Sequence, residues 1–268
     1  MPYVADVPDA FDPFTAQGPE EVPLPRSPLI RVIAQLRFPP IVSLGQSEFV
    51  GPFQEEIRPR YPVLRPEETA GIVVGPGIVH AGSGIVWRFH DKSDTWRVSL
   101  AREFVALESL AYKDRDDFFE RLEEILVALE KLAKLTVYDR LGVRYVNRVH
   151  PPELDRLDSL VRPEVLGVAA QAVAGLRFSL CESQFGQDDV TLNTRWARLP
   201  AGATTDPSTI DPIDTPSWVL DLDVFRMAQR DFDTASVLAD GRAFARTIHD
   251  FFRWCVMPEF LKAYGGNP

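Results

Sequence analysis

The chain has 268 residues, of which 45% are hydrophobic and 25% are charged, a composition typical of a globular protein rather than a disordered or fibrous one. At this length about three quarters of the unfolded chain's surface can be buried, so neither a disulfide nor a metal is needed for stability. The net charge of −10 argues against a protein that coats nucleic acid over its whole surface, because phosphate binding needs a cationic surface, but it is compatible with a local basic patch.

The cysteine content and the apolar segments indicate the cellular compartment. The two cysteines, Cys181 and Cys255, form no CxxC pair, so we predict reduced thiols in a cytoplasmic protein. The chain begins with neither a basic stretch nor an apolar run, and no later segment reaches the ~18 uncharged apolar residues of a membrane span. The sequence therefore predicts a protein without a signal peptide or membrane association.

The first predicted elements follow a proline-rich start. Residues 1–28 contain seven prolines and show no periodicity, so we expect an extended tail or a strap over the body. The stretch LIRVIAQLRF then alternates, with its even positions from Ile30 on one face and its odd positions from Arg31 on the other, which is typical of a half-buried strand. A short helix capped by Ser47 and several short strands follow.

The clearest predicted helix runs from Asp114 to Lys134, because its apolar residues recur at helical spacing and its acidic residues favour the N-terminal half. The same order of elements then starts again. A strand is predicted from Asp139 to Val149, further strands follow, and a long helix begins at about Ser236. The proline-rich segment 199–216 has no periodicity and indicates a loop insertion.

The chain thus shows one order of elements twice: a strand, a helix, several antiparallel strands and a second helix. This order predicts an α+β protein with two similar halves, residues 29–135 and 136–268, and with its helices on one face of the sheet. The element order is similar to that of the pseudo-twofold saddle of TATA-binding proteins. That likeness concerns architecture and implies no functional residues.

Arginines recur on one side of the predicted strands. In DRLGVRYVNRV, Arg140, Arg144 and Arg148 share a face with Gly142, opposite Tyr145. The same alternation adds six arginines from other strands: Arg31, Arg37, Arg88, Arg97, Arg177 and Arg195. We call this set the arginine face. Because helices cover one face of an antiparallel sheet, we expect the arginine face to be exposed and able to bind carboxylates or phosphates. Gly142 would let another backbone approach, or would mark a bulge.

Two alternatives to a binding surface remain open. The arginines could form cross-strand salt bridges with Asp221, Asp223 and Glu108. Asp221 and Asp223 also project to the same side of their strand, the geometry with which metal-dependent hydrolases hold a divalent ion, although spacing places no third ligand beside them. The glycines fit neither a dinucleotide fingerprint nor a Walker loop, and the histidines lack zinc spacing, so no cofactor is expected.

Two motifs and the last helix resemble a family of unknown function that is sporadically distributed among bacteria and archaea. Its PPI-strand-RFP opening corresponds to SPLIRVIAQLRFPP, and its helical ending to the helix with Ile248, His249 and Phe252. Its central G-x-R-Y-x-N-R strand corresponds to Gly142, Arg144, Tyr145, Asn147 and Arg148. The resemblance implies kinship from Ser27 onward but no activity, and the sporadic distribution implies an accessory gene of a defence or mobile-element system. We predict Tyr145 in the core and Asn147 as a partner of buried backbone.

The excess of arginines over catalytic motifs predicts a non-enzymatic interaction protein that holds an acidic partner on the arginine face. The expected partner is a protein, encoded by a neighbouring gene, or a nucleic-acid strand, and a homodimer is a further alternative. The alternative function is a metal-dependent phosphoester hydrolase with Asp221 and Asp223 as ligands. No membrane partner is expected.

Overall fold

The computed structural model describes residues 11–15, 18, 21–75, 78–170 and 174–267, with the side chains of 69–75 and 78–83 left out. The first half contains β1 (Leu29–Arg37), α1 (Ser47–Ile57), β2 (Val63–Gly75), β3 (Ile78–His90), β4 (Trp96–Ala101), β5 (Phe104–Ser109) and α2 (Arg115–Ala133). The second half contains β6 (Val137–Tyr138), β7 (Arg140–Val149), α3 (Pro163–Leu166), β8 (Ser179–Gln187), β9 (Val190–Leu199), β10 (Ser217–Arg226), β11 (Arg230–Asp231), α4 (Thr234–Cys255) and α5 (Pro258–Ala263).

Nine of these strands form one antiparallel sheet in the order β2-β3-β4-β5-β1-β7-β10-β9-β8. β1 and β7, which open the two predicted halves, pair with each other near the middle of the sheet. β6 and β11 form a separate two-stranded sheet. The prediction of an α+β protein with a large antiparallel sheet is therefore confirmed.

The helices build the main core on one face of the sheet. α1, α2, α4 and α5 all contribute buried apolar side chains to it. Alternate residues of the central strands point toward these helices, among them Val32 and Leu36 of β1 and Leu141 and Val143 of β7. Each fully buried side chain of this size contributes about 1.5–3 kcal/mol through removal of apolar surface from water. In the described part of the chain, every helix is too short or too polar to cross a membrane.

The alternation predicted for the first strand is wrong at Ile30. The register between β1 and β7 shifts, so that Leu29 pairs with Asn147 whereas Arg31 pairs with Val146. Such a bulge adds one residue to a strand and changes the face on which the side chains beyond it lie. Ile30 therefore packs on the side of the arginine face, and Leu29 packs against the main core.

The ends of α2 are set by local chemistry. The Asp114 carboxylate accepts a hydrogen bond from the backbone N–H of Asp117 at 2.8 Å and caps the first turn. Lys134 ends the helix in the left-handed conformation with φ of 48°. The predicted Ser47 cap of α1 is wrong, because Ser47 is the first helical residue and Gln46 precedes it without a side-chain cap.

Residues 21–28, which we call the strap, lie along the C-terminal end of the chain. The backbone N–H of Arg26 donates to the carbonyl oxygen of Tyr264 at 3.2 Å, and its Nη2 donates to that of Ala263 at 2.6 Å. Further upstream the Phe11 ring stacks on Trp254 with centroids 5.4 Å apart. Residues 1–10, 16, 17, 19 and 20 of the predicted tail lie outside the described residues.

Candidate functional site

The centre of the arginine face is covered by the insertion loop, residues 199–216. Ile210 of this loop is fully buried against Val146, Ala197 and Val219, which form a second, smaller core. The expectation that this side of the sheet is open to water is therefore corrected at its centre. A loop without periodicity covers it, rather than a helix.

Arg144 is held by two carboxylates beneath this loop. Its Nε donates to Asp221 Oδ1 at 2.8 Å, and its Nη2 donates to Asp221 Oδ2 at 2.7 Å and to Asp206 Oδ2 at 2.9 Å. The side chains of Arg144 and Asp221 are 18% and 5% exposed. Burial opposes the charge of Arg144, but the hydrogen bonds to Asp221 and Asp206 outweigh it and raise the arginine's pKa.

Two further contacts join the loop to β1 and to the end of β7. Arg31 Nη1 donates to Glu108 Oε1 at 2.8 Å, and its Nη2 donates to Asp211 Oδ2 at 3.1 Å. Arg148, which is 7% exposed, donates from Nη2 to the carbonyl oxygen of Asp211 at 2.6 Å. Burial lowers the pKa of Arg148, and Asp211 offsets part of this effect.

The side chain of Arg140 explains why a glycine occupies position 142. The Arg140 guanidinium folds back over Gly142, and a Cβ at that glycine would lie 2.5 Å from Arg140 Nη1. From there Arg140 donates to Asp223 Oδ2 at 3.1 Å and lies 4.7 Å from the centre of the Phe225 ring. Burial raises the pKa of Asp223, although Arg140 and then Arg144 oppose the shift. Gly142 thus makes room for a side chain of its own strand.

The other members of the arginine face lie toward its edges. Arg37, Arg88 and Arg195 form ion pairs with Glu103, Glu67 and Glu182 at 3.2, 2.6 and 3.1 Å. Arg177 is exposed and precedes β8, so its predicted place within a strand is wrong. The contacts of the paired arginines correspond to the salt-bridge alternative that the sequence left open.

Asp221 and Asp223 are engaged by arginines. Asp221 accepts two hydrogen bonds from Arg144, and Asp223 accepts one from Arg140. A cation would have to replace these guanidinium groups to reach the carboxylate oxygens. The described residues contain no group of three or more metal-ligating side chains.

A cavity of about 480 Å³ lies on the opposite, helix-covered side of the sheet. The strap, the start of α2, α4 and α5 form its walls, and β7 contributes its floor. Most of the wall is apolar, with Val22, Leu24, Leu29, Ile248, Phe252 and Leu261. We call it the strap cavity. A concave site of this size with apolar walls and a few polar groups is typical of small-molecule binding sites.

Tyr145 and Tyr112 form a hydrogen-bonded pair at this floor. The Tyr145 hydroxyl donates to the Tyr112 hydroxyl at 3.1 Å, and the ring centroids lie 5.5 Å apart in an edge arrangement. Burial raises the pKa of Tyr112 to about 12 and raises the pKa of Tyr145 well above its ordinary value. Both hydroxyls are therefore neutral donors at physiological pH.

Asn147 lines the same cavity two residues further along β7. The residue is 6% exposed, and among the described residues its side-chain amide makes no hydrogen bond. The prediction that this side chain serves buried backbone is therefore wrong. The Asn147 amide is not among the buried polar atoms without a partner in the described residues, so it faces the cavity and its hydrogen-bonding groups can be reached from there.

Charged groups lie around the cavity. Arg115, at the start of α2, forms an ion pair with Glu21 of the strap. His249 of α4 contacts Asp250 through Nδ1 at 3.1 Å from Oδ1. Within the described part of the chain, no serine hydroxyl or cysteine thiol hydrogen-bonds to His249, so the arrangement of an activated nucleophile is not present there.

Comparison with models of known protein families and with curated proteins gives no match. The kinship suggested by the sequence motifs therefore stays a prediction. The three segments that carry the resemblance nevertheless meet at the strap cavity, through Leu29 of the first motif, Tyr145 and Asn147 of the second, and His249 and Phe252 of the last helix. The only sequence signal of this site was a polar Asn147 on the core-facing side of a strand.

Proposed function

We propose that the protein is a non-enzymatic binding protein that holds a small ligand in the strap cavity. The observation that carries this proposal is Asn147, a nearly buried polar side chain that lines a cavity with otherwise mainly apolar walls. Binding sites combine such walls with a few polar groups that fix the ligand's orientation. The strap, which forms one wall, is held to the body by contacts at Arg26 and by the ion pair between Glu21 and Arg115.

Filling the cavity tests the proposal. Leu29→Trp places a larger side chain at its wall, and Leu110→Trp adds the same side chain at an exposed leucine outside it. A panel of small aromatic fragments, measured by NMR, should bind to the wild type and to Leu110→Trp, with shifts at Tyr145 and Asn147. Leu29→Trp should lose this binding. Equal binding by Leu29→Trp would place the fragments elsewhere and refute the proposal.

A second candidate function uses the arginine face to hold an acidic partner. Support comes from the insertion loop, since Asp206 and Asp211 already contact Arg144 and Arg31 there. A partner's acidic segment would take the place of this loop. Replacing residues 204–212 by a glycine-serine linker should then create binding of an oligoglutamate peptide, measured by fluorescence anisotropy. A variant that stays folded and binds no more peptide than the wild type would exclude this function.

The metal-dependent hydrolase is the weaker alternative, because Asp221 and Asp223 would first have to leave Arg144 and Arg140. Calorimetric titration with Mg²⁺ or Mn²⁺ tests it, with Asp223→Asn as the control. A heat of metal binding that is present in the wild type and absent in Asp223→Asn would support the hydrolase alternative.

We also propose that the fold arose by internal duplication. Support comes from the strand order: outward from the central pair, the sheet runs β1-β5-β4-β3-β2 on one side and β7-β10-β9-β8 on the other, so the first side carries one strand more. Each side thus begins with the first strand of its half and continues with the later strands in reverse. α2 and α4 each follow the last large strand of a half.

A further inference from the structure

We propose that the strap cavity selects a small uncharged molecule with an apolar body and a carboxamide or lactam edge. This inference rests on the proposed binding function and specifies its ligand. It follows from the hydrogen-bonding groups at the floor of the cavity, from the burial of that floor, and from the apolar part of the walls.

Asn147 provides both kinds of hydrogen-bonding group. A side-chain amide offers one carbonyl acceptor and two N–H donors. Among the described residues, none of these groups is used by the protein, although the residue is only 6% exposed. A ligand with a donor and an acceptor side by side would satisfy both, as paired amides do. A ligand that only accepts would leave the Asn147 carbonyl oxygen without a partner and would bind about tenfold more weakly.

Tyr112 adds a donor beside Asn147. Tyr145 donates its hydroxyl hydrogen to the Tyr112 oxygen at 3.1 Å. The hydroxyl hydrogen of Tyr112 therefore points away from Tyr145. In the described part of the chain, no acceptor for that hydrogen is found. Tyr145 and Asn147 alternate on the same face of β7, so the tyrosine pair and the amide border one floor. The carbonyl oxygen of a ligand amide can accept from this floor while its N–H donates to Asn147.

The same floor disfavours an anion. Burial raises the pKa of both Tyr112 and Tyr145, which means that negative charge at this position is poorly solvated. Arg115, at the start of α2, is already paired with Glu21 of the strap. Lys113 and Arg253 also line the cavity, and Lys113 Nζ lies 3.6 Å from Asp114 Oδ2. A carboxylate at the floor would therefore lose its hydration and would have to compete with Glu21 for Arg115 and with Asp114 for Lys113. A neutral amide loses less hydration free energy than a carboxylate, and its N–H and carbonyl groups can hydrogen-bond to Asn147 and Tyr112.

The apolar wall fits the remainder of the molecule. Leu29, Ile248, Phe252 and Leu261 come from three different elements and face the cavity together. Transfer of a ring or alkyl chain onto these side chains removes apolar surface from water, which favours binding. The apolar contact therefore supplies affinity, whereas the amide edge supplies orientation.

Three probes that share one ring test the inference: benzamide, benzoate and toluene, each titrated into the full chain by NMR. We expect benzamide to bind about tenfold more tightly than toluene, a difference equal to one net hydrogen bond, and benzoate to bind most weakly. The side-chain N–H resonances of Asn147 should shift with benzamide and stay unchanged with toluene.

Asn147→Leu, similar in size and without polar groups, should abolish the preference for benzamide and keep toluene binding. The matched control is Asn193→Leu, which alters an asparagine of β9 that accepts from Gln184 on the other side of the sheet. If no probe binds to the wild type, the proposed function itself fails. If toluene binds as tightly as benzamide, or if Asn147→Leu retains the preference, the amide inference is overturned and the binding function stands. The wild-type Asn147 resonances decide the point if the variant does not fold.

Discussion

Near the middle of the sheet, Arg144 donates two parallel hydrogen bonds of 2.8 and 2.7 Å to the Asp221 carboxylate. The two residues lie on neighbouring strands, β7 and β10, and both are largely buried beneath the insertion loop. A buried pair of this geometry fixes strand register and loop position, whereas a binding surface would need free guanidinium groups.

Arg144→Ala should therefore destabilise the protein. Loss of the guanidinium leaves the Asp221 charge buried without its partner, which costs about 3–5 kcal/mol of the free energy of unfolding. Urea denaturation measures this loss. Arg195→Ala is the matched control, because Arg195 pairs with Glu182 at the exposed side of β9 and should cost at most about 1 kcal/mol.

The opposite outcome would be informative. If Arg144→Ala unfolds at the same urea concentration as the wild type, the pair contributes no net stability. The arginine would then be available for a partner, and the second candidate function would gain support.

The sequence predicted those elements whose signals are local. The α2 helix lies within one residue of its predicted bounds, because the Asp114 cap and the apolar stripe belong to the helix itself. The inversion at Ile30 could not be predicted, since the bulge depends on how β1 pairs with β7, more than 100 residues away. Pairing between distant segments leaves no pattern in either segment alone.

The two candidate sites also depend on contacts between distant segments, which the sequence does not reveal. Strand alternation placed Arg140, Arg144 and Arg148 on one side, but it gave no sign that Ile210 would pack over them. A loop without periodicity does not reveal which surface it covers. The strap cavity escaped prediction for a similar reason, because it forms where the strap passes over the floor residues Tyr145 and Asn147.

Lowering the pH should weaken the attachment of the insertion loop, because Asp206 becomes protonated. Burial would raise the pKa of this carboxyl, but hydrogen bonds from Ser208 and Arg144 outweigh it and lower the pKa from 3.8 to about 2. A carboxyl whose pKa is depressed by folding stabilises the native state above its unfolded pKa. This contribution is lost as the pH falls from about 4 toward 2.

Asp206→Asn isolates this contribution. At pH 7 the variant should be less stable than the wild type by on the order of 1 kcal/mol, since water partly screens the pair, and the difference should shrink below pH 4. Thermal unfolding between pH 2 and pH 7 measures it. The raised pKa of Asp223 acts in the opposite direction but is present in both proteins. A difference that is constant with pH would contradict the assigned role of Asp206.

Arg26 should control how tightly the strap closes the cavity. Its Nη2 donates to the Ala263 carbonyl oxygen at 2.6 Å, and the contact joins the strap to α5. Arg26→Ala should speed amide exchange of residues 22–28 about tenfold, the effect of losing one hydrogen bond, with little change in global stability. Hydrogen exchange read by mass spectrometry tests this. Arg58→Ala is the control, because Arg58 pairs locally with Glu55. Equal exchange in both variants would show that other contacts hold the strap.

The outer edge of β8 should mediate self-association at high concentration. β8 is the last strand of the nine-stranded sheet, and Leu180 on it and Phe178 just before it are exposed. A strand edge with apolar side chains that pairs with no other described strand can pair with a second chain. Leu180→Lys should lower the weight-average mass at high concentration, measured by analytical ultracentrifugation. Val42→Lys, at an exposed valine far from this edge in sequence, should leave it unchanged. A wild type that stays monomeric at every concentration would argue against the homodimer alternative, because the exposed edge would then be blocked or too short to pair.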